Sequence, residues 1–317
     1  IRFQEIGGIL ESACNETIDE NIILKSNANN EFNLKPFAQA HFCITKCCSD
    51  GIFLSQLFVR FFKFILQMLA RLNKWSVDAI ETKEINIQMD RMDFLILLYL
   101  DVMKMNGMIP SIFDKIVEKV PVSLNIQLDL IEKCFNESRK TFNACLKQTE
   151  TQWSNEIIGK TSGWTKQVAD IPRLYRKTNR EAPTKPCNYV DQILRPAEMF
   201  WNKNKTNIEV DSLRQCLVKS FSHLNQQFYS AVNNVLTSVQ KTEESLRRLK
   251  NLREKSGSAS QGNVSASGMS DDDKIRLQLY VDINAWCKGI EKLGIDPKQI
   301  VQMNELTGLV DGFNKAH

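Results

Sequence analysis

The sequence predicts an all-α protein, and three observations support this class. Glycine and proline are scarce among the 317 residues, at 13 and 8 respectively, and few turn-forming residues favour long helices over many-stranded folds. Apolar residues recur at steps of three and four along most of the chain, which is the period of a helix with one buried face. No alternating apolar and polar run is long enough to predict a strand.

Length and composition indicate a soluble globular protein with more than one folded unit. Hydrophobic residues make up 43% of the chain and charged residues 25%, which is an ordinary globular balance. The net charge of +4 is too small to indicate a nucleic-acid partner, and we expect none. We expect five consecutive segments, which are 1–75, 76–170, 171–255, 256–268 and 269–317.

The first segment, 1–75, contains the strongest amphipathic pattern, at 53–74. Polar residues step along it by four and three and form one stripe, which consists of Gln56, Arg60, Lys63, Gln67, Arg71 and Lys74. Apolar residues fill the other side of the helix, namely Leu54, Leu57, Phe58, Phe61, Ile65, Met68, Leu69 and Leu72. Two central charges, each costing about 2.5–3.5 kcal/mol at the middle of a bilayer, argue against a membrane span.

Two interpretations of 53–74 stay open. The first is a core helix of a bundle. The alternative is a helix that lies directly on an anionic membrane surface, in which Arg60, Lys63 and Arg71 are contact residues for lipid or for a partner.

The second segment, 76–170, is expected to be a helical bundle. The apolar stretch 92–105 predicts a helix that the Asn-Gly pair at 106–107 ends, with Pro110 just beyond. A separate short helix is expected to begin at Ser111. A long helix follows, with apolar residues at steps of three, four and seven, namely Leu124, Leu128, Ile131, Phe135, Phe142, Leu146 and Trp153.

The third segment, 171–255, begins with a basic, proline-containing connector at 171–186. If the connector is helical, Arg173, Arg176 and Lys177 share one face, and Arg180 lies close by. The first interpretation is a solvated connector. The alternative is a docking surface for an acidic partner or anionic lipid, with these four basic residues as contacts.

A long helix and two short elements complete the chain. The helix carries an apolar stripe that includes Leu217, Phe221, Leu224, Phe228, Ala231, Val232, Val235, Val239, Leu246 and Leu249. Pairs such as Glu243 and Arg247, four residues apart, indicate a solvated opposite face. The Ser/Gly-rich stretch 256–268 predicts a flexible linker. Ser270 then caps the first of the terminal helices of 269–317.

No motif in the sequence indicates an enzyme or a bound cofactor. Glycine-rich phosphate loops, a Gly-x-Ser-x-Gly elbow, a His-Glu-x-x-His pair and an EF-hand loop are all missing. The His41–Cys48 cluster has one Cys-x₃-Cys spacing and no second ligand pair, so buried reduced thiols are favoured over zinc. His223 has no evident catalytic partner. The odd count of nine cysteines, without a signal-like leader, indicates a reducing cytosolic setting.

Several runs of residues resemble one known family. They are IPRLYRKTNREAPT at 171–184, VLTSVQKTEESLRRLK at 235–250 and GMSDDDKIRLQL at 268–279, with a weaker run at 57–71. In this order they resemble subunit 2 of the conserved oligomeric Golgi complex. Residues 73–164 carry no run that we can assign. Because the sequence begins at Ile1, we expect a fragment that lacks the family's N-terminal coiled-coil region.

The resemblance implies a fold, a function and a set of partners. The implied fold is an elongated rod of stacked helical bundles, of the type found in multisubunit tethering complexes. The implied function is non-enzymatic tethering of vesicles in retrograde transport within the Golgi, at the cytoplasmic face of its membranes. The implied partners are the other subunits of the complex, with SNAREs, Rab GTPases and coiled-coil Golgi tethers as further candidates.

Overall fold

The computed structural model describes residues 2–24, 31–82, 88–121, 128–176, 178–255 and 269–314. Within these ranges the chain forms ten α-helices and four short 3₁₀ segments, with one isolated bridge between Ile23 and Leu34 and no strand. The all-α prediction is therefore confirmed. The extended rod and the five-segment division stay predictions, and the expected linker at 256–268 lies outside the described residues.

The chain divides into two compact units, Ile1–Trp153 and Ser154–His317. The helices of unit 1 are α1 (Arg2–Asn15), α2 (Lys35–Cys47), α3 (Phe58–Glu81), α4 (Arg91–Val117) and the first part of α5 (Leu128–Thr161). In unit 1, α2 packs against α1, α3 and α4, and α3 also contacts α1 and α4. The core of the unit lies between these helices, with Phe37, Leu69 and Leu98 fully buried.

Helix α4 differs from the sequence prediction because it does not end at 106–107. It continues through Pro110 to Val117, and the Ser111 hydroxyl donates to the Met108 carbonyl at 2.8 Å instead of beginning a new helix. A proline inside a helix removes one backbone hydrogen bond, at a cost of about 3 kcal/mol or more. Burial of Ile109 and Ile112, at about 1.5–3 kcal/mol each, offsets that cost.

Among the helices that the structure describes, α4 is the one whose length and apolar composition would allow it to cross a bilayer. Half of its most apolar stretch is buried in the structure. Its buried face includes Leu95, Leu98 and Val102, which are inaccessible to solvent. A core helix has this distribution, so the apolar composition of α4 is explained by packing within unit 1.

Unit 2 is organised around one long helix. Its elements are the end of α5, a 3₁₀ segment (Trp164–Asp170), α6 (Ile171–Tyr175), α7 (Asn188–Asn204), α8 (Val210–Lys255), α9 (Asp271–Lys292) and α10 (Met303–Asn314). The Trp286 ring of α9 packs edge-on against Phe221 and Phe228 of α8, at centroid distances of 5.4 and 6.1 Å. The predicted cap of α9 is confirmed, since the Ser270 hydroxyl accepts from the Asp273 N–H at 3.1 Å.

The apolar stripe of α8 is buried along only part of its length. From Leu217 to Val239 its members are buried except Ala231, which is half-buried, whereas Leu246 and Leu249 are 58% and 54% exposed. The predicted pair of Glu243 with Arg247 is replaced by a longer-range contact. Both oxygens of the Glu243 carboxylate accept from the guanidinium of Arg276 in α9, at 2.9 and 3.1 Å.

Candidate functional site

The basic stripe on α3 is exposed, as the sequence predicts. Arg60 and Lys63 point into solvent. The opposite apolar face is buried in unit 1, with every member at most 4% exposed, namely Phe58, Phe61, Ile65, Met68, Leu69 and Leu72. Leu54 and Leu57 were also expected on this face, but both precede the helix. Leu54 is 53% exposed, and Leu57 is half-buried. A helix that binds lipid directly must present its apolar face to the membrane, and here that face already forms the core.

Arg71 differs from the other three basic residues of α3, which are Arg60, Lys63 and Lys74, because it is engaged within unit 1. Its Nε donates to Glu11 of α1 at 2.8 Å, and its Nη2 donates to Asn15 at 2.9 Å. The hydrogen bond from Arg71 lowers the pKa of Glu11. Arg71 therefore joins α1 to α3, and the exposed basic surface of this helix consists of Arg60, Lys63 and Lys74.

The basic connector of unit 2 does not present one helical face. α6 has five residues and ends at Tyr175, and Arg176 already has extended backbone angles. Arg173 is exposed and pairs with Asp170 at 3.3 Å. Arg176 turns towards Asp272 of α9, at 3.5 Å. The expected shared face required a helix that continues beyond Tyr175, and this condition is not met, because α6 ends at Tyr175 and the backbone at Arg176 is extended.

The other two predicted connector residues have different outcomes. Lys177 lies outside the described residues. Arg180 is exposed, and its backbone carbonyl accepts from the Lys274 ammonium at 2.6 Å. Helix α9 thus holds the backbone at Arg180, and the Arg180 side chain is exposed.

A buried polar cluster fixes both ends of the connector to α9. The Asp282 carboxylate accepts from the Cys187 N–H and the Tyr189 hydroxyl, both at 2.7 Å. The neighbouring Gln278 side chain accepts from the Tyr175 hydroxyl at 2.6 Å and donates to the Lys185 carbonyl at 3.0 Å. Burial raises the pKa of Asp282, and burial beside this carboxylate raises that of Tyr189.

The sequence analysis did not identify this cluster. The signal was present, because Gln278 and Asp282 lie at steps of three and four from the apolar residues Ile275, Leu279 and Trp286. A polar residue on the buried stripe of a helix indicates a buried hydrogen bond, since an unpaired polar group there is costly. Their partners, at 175–189, could not be read from local spacing.

Unit 1 contains a similar buried acid that the sequence analysis also missed. The carboxylate of Asp101 in α4 accepts from the backbone N–H groups of Asn33 and Leu34, at 3.0 and 2.7 Å. The Asn33 side chain donates to the same group at 2.8 Å. Burial raises the pKa of Asp101 to about 6. The residue holds the segment that precedes α2 against α4.

The cysteines of the His41–Cys48 cluster are buried, as predicted. The Cys43 thiol donates to the Ile6 carbonyl at 3.2 Å, and burial raises the pKa of Cys47 to about 12. A protonated thiol is a poor nucleophile and a poor metal ligand. Over the described ranges no three His, Cys, Asp or Glu side chains are grouped so as to hold a metal ion. His223 is exposed on α8 and contacts Gln227 at 3.0 Å.

Comparison with known proteins adds what the geometry alone does not give. The sequence model of the family described as "COG complex component, COG2, C-terminal" matches residues 1–283. The chain belongs to this family. The match includes residues 73–164, which carried no assignable run in the sequence, and so extends the resemblance over nearly the whole chain.

Relatives from distant organisms support the assignment. The chain is 36% identical to "Conserved oligomeric Golgi complex subunit 2" of Drosophila melanogaster, over 98% of this chain and 44% of the relative. It is 28% identical to the Homo sapiens protein of that name, over 98% of this chain and 46% of the relative. The chain thus spans less than half the length of these curated relatives. No solved structure matches it.

Proposed function

We propose that the chain is a non-enzymatic part of subunit 2 of the conserved oligomeric Golgi complex, and that it supports retrograde vesicle transport within the Golgi. The observation that carries this proposal is the family match over residues 1–283. The all-α fold is in keeping with it, because rigid helices present extended surfaces to other proteins. We also propose that the chain works at the cytoplasmic face of Golgi membranes, as a peripheral protein.

The proposed partners are the other subunits of the same complex. SNAREs, Rab GTPases and coiled-coil Golgi tethers are finer proposals, and their support is the resemblance alone. Among the basic residues singled out in the sequence, we propose Arg60, Lys63, Arg173 and Arg180 as contacts, because they are exposed. We assign Arg71 and Arg176 to internal ion pairs, on the distances to Glu11 and Asp272.

The proposal is tested by affinity purification of the tagged chain from cytosol, with mass spectrometry of the recovered proteins. Recovery of the other Golgi-complex subunits above an untagged control is expected. In parallel, Golgi membranes are isolated and washed with high salt, which releases a peripheral protein held by protein contacts. Absence of those subunits from the purification, or resistance of the chain to every wash short of detergent, would contradict the proposal.

Charge reversal identifies which basic surface contributes. Arg60→Glu with Lys63→Glu changes unit 1, and Arg173→Glu with Arg180→Glu changes unit 2. Lys288→Glu with Lys298→Glu is the matched control, because it reverses two exposed charges elsewhere in unit 2. We expect at least one of the two test variants, and not the control, to lose recovered subunits.

A further inference from the structure

Towards its C-terminal end, α8 is exposed on every side over residues 244–252. Each residue from 244 to 252 is exposed, although the same helix is buried along one face as far as Val239. Three leucines lie in this stretch, and 58% of Leu246, 54% of Leu249 and 63% of Leu252 is accessible to solvent. They are called the leucine seam below. Large apolar side chains grouped on an exposed helix mark a binding surface more often than chance exposure does.

The leucine seam continues a pattern that unit 2 uses for its own core. Val232, Val235 and Val239 are buried, and Leu246 and Leu249 follow them at steps of seven and three. Leu252, three residues further on, lies beside this line. Steps of three and four that repeat every seven residues are the seam of a coiled coil, which packs against another helix. A helix that lies on a membrane carries a wide apolar sector instead. Here polar Thr242 and Ser245 interrupt the apolar sector of the three leucines, which favours a helical partner over lipid.

Both edges of the leucine seam are basic. At about 100° per residue, Lys250 lies along one edge, and Arg248 and Lys241 lie along the other. Two acids lie beside these edges. Glu243 is nearest to Lys250, and its carboxylate is already bound by Arg276 at 2.9 and 3.1 Å, whereas Glu244 is exposed beside Arg248. The edges thus carry an excess of positive charge, which selects acidic residues at the matching positions of a partner helix.

Two other occupants fit less well. If the leucine seams of two copies of this chain packed together, the basic edges of one helix would face the basic edges of the other, whether the helices were parallel or antiparallel. Like charges that face each other across such an interface are unfavourable. The chain's own continuation, 256–268, contains Val264 as its one large apolar residue. It offers no apolar seam that matches three leucines.

We propose that residues 241–252 of α8 bind an amphipathic helix of another protein, with an apolar seam and acidic flanks. The inference deepens the proposed function and rests on it, because a subunit that works by holding partners needs an unoccupied surface of this kind. It names the partner by its chemistry and the binding mode as helix against helix.

The test uses the full chain and two synthetic probes of three heptads each. Both peptides carry leucine at the seam positions; one carries glutamate along both edges and the other carries lysine. Fluorescence anisotropy measures their affinities at low and high salt. We expect the glutamate peptide to bind at least tenfold more tightly than the lysine peptide, and high salt to reduce that ratio.

Variants locate the binding surface. Leu246→Gln with Leu249→Gln should weaken binding of the glutamate peptide at least tenfold, with unchanged thermal unfolding, because both residues are exposed. The matched control is Met199→Gln with Val301→Gln, which replaces two other exposed apolar residues of unit 2, at 63% and 49%. It should leave the affinity unchanged.

Several results would overturn the inference. These are equal binding of the two peptides, no binding of either, or an unchanged affinity in the leucine variant. Leucine-dependent binding to phosphatidylserine vesicles without peptide binding would assign the surface to lipid, and a leucine-dependent dimer in sedimentation would assign it to a second copy. Co-purification of the wild-type chain with Golgi-complex subunits is scored separately, so failure of the proposed function is distinguishable from failure of this inference.

Discussion

The Tyr189 hydroxyl at the start of α7 donates to the buried Asp282 carboxylate of α9 at 2.7 Å. The two residues are 93 positions apart in the chain. Together with the Cys187 N–H, which donates to the same carboxylate, this contact fixes the end of the basic connector. The surface that carries Arg173 and Arg180 thus depends on a polar cluster in the core of unit 2.

Replacement of Asp282 by alanine is expected to destabilise unit 2 by about 3 kcal/mol, because it leaves buried donors without an acceptor. Asp282→Asn should have a smaller effect, since one amide oxygen still accepts. Urea unfolding followed by circular dichroism measures both. Asp311→Ala is the control, because Asp311 is exposed on α10. An equal effect of Asp282→Ala and the control would contradict this role.

Asp101 is expected to make the stability of unit 1 depend on pH. Its ordinary pKa of 3.8 is raised by burial to about 6, against the opposing effects of the hydrogen bonds from Asn33 and Leu34 and of the nearby charge of Lys104. Between these values the folded state holds more protons than the unfolded state, so the stability that Asp101 contributes falls as pH rises through this window. Relative to Asp101→Asn, wild type should lose about 2 kcal/mol between pH 4.5 and 7.

The measurement is urea unfolding of both proteins at the two pH values. Asp114→Asn is the control, because it makes the same substitution at an exposed position of α4. A difference between wild type and Asp101→Asn that stays constant, or that grows in favour of wild type at pH 7, would show that the carboxyl is not held with a raised pKa.

Gly289 of α9 is expected to tolerate no side chain. A Cβ atom at this position would overlap the buried side chain of Leu194 in α7, so Gly289→Ala should destabilise unit 2 by about 1–3 kcal/mol. Gly159→Ala in α5 is the matched control, because it has open space around it and should stabilise its helix by about 0.5–1 kcal/mol. Thermal unfolding separates the two signs, and Leu194→Ala should relieve part of the defect.

Arg71→Ala is expected to lower the stability of unit 1 by no more than about 1 kcal/mol, because the pair with Glu11 is partly exposed and screened by solvent. The effect should shrink at high salt. Arg60→Ala on the same helix should have no measurable effect, since Arg60 is exposed. Urea unfolding at two salt concentrations checks this, and an equal loss for both variants would refute the distinction.

The sequence predicted individual helices well where their periodicity was long and regular. The amphipathic pattern of 53–74 and the stripe of 217–239 both correspond to buried faces. The reason is that apolar residues of a buried helix face recur at the helical period, which can be measured on the sequence. The prediction that a helix ends at Asn106 and Gly107, before Pro110, was wrong. Local signals for a helix end were outweighed by burial of Ile109 and Ile112, which depends on neighbouring helices and not on the local sequence.

The features of the candidate site also divide into those that the sequence predicted and those that only the structure shows. Exposure of Arg60, Lys63, Arg173 and Arg180 follows from charge and could be read from the sequence. Engagement of Arg71 with Glu11, by contrast, joins residues 60 positions apart. Contacts at that separation leave no trace in local periodicity.

The sequence by itself determined the all-α class, the buried stripes of α3 and α8, and the family to which the chain belongs, because each is carried by residue spacing or residue identity. Only the tertiary structure decided which polar groups are internal and which surfaces are free. It placed Asp101 and Asp282 in the cores of their units and left Leu246, Leu249 and Leu252 uncovered. Burial is a property of what packs around a residue, and for these residues the packing comes from distant parts of the chain.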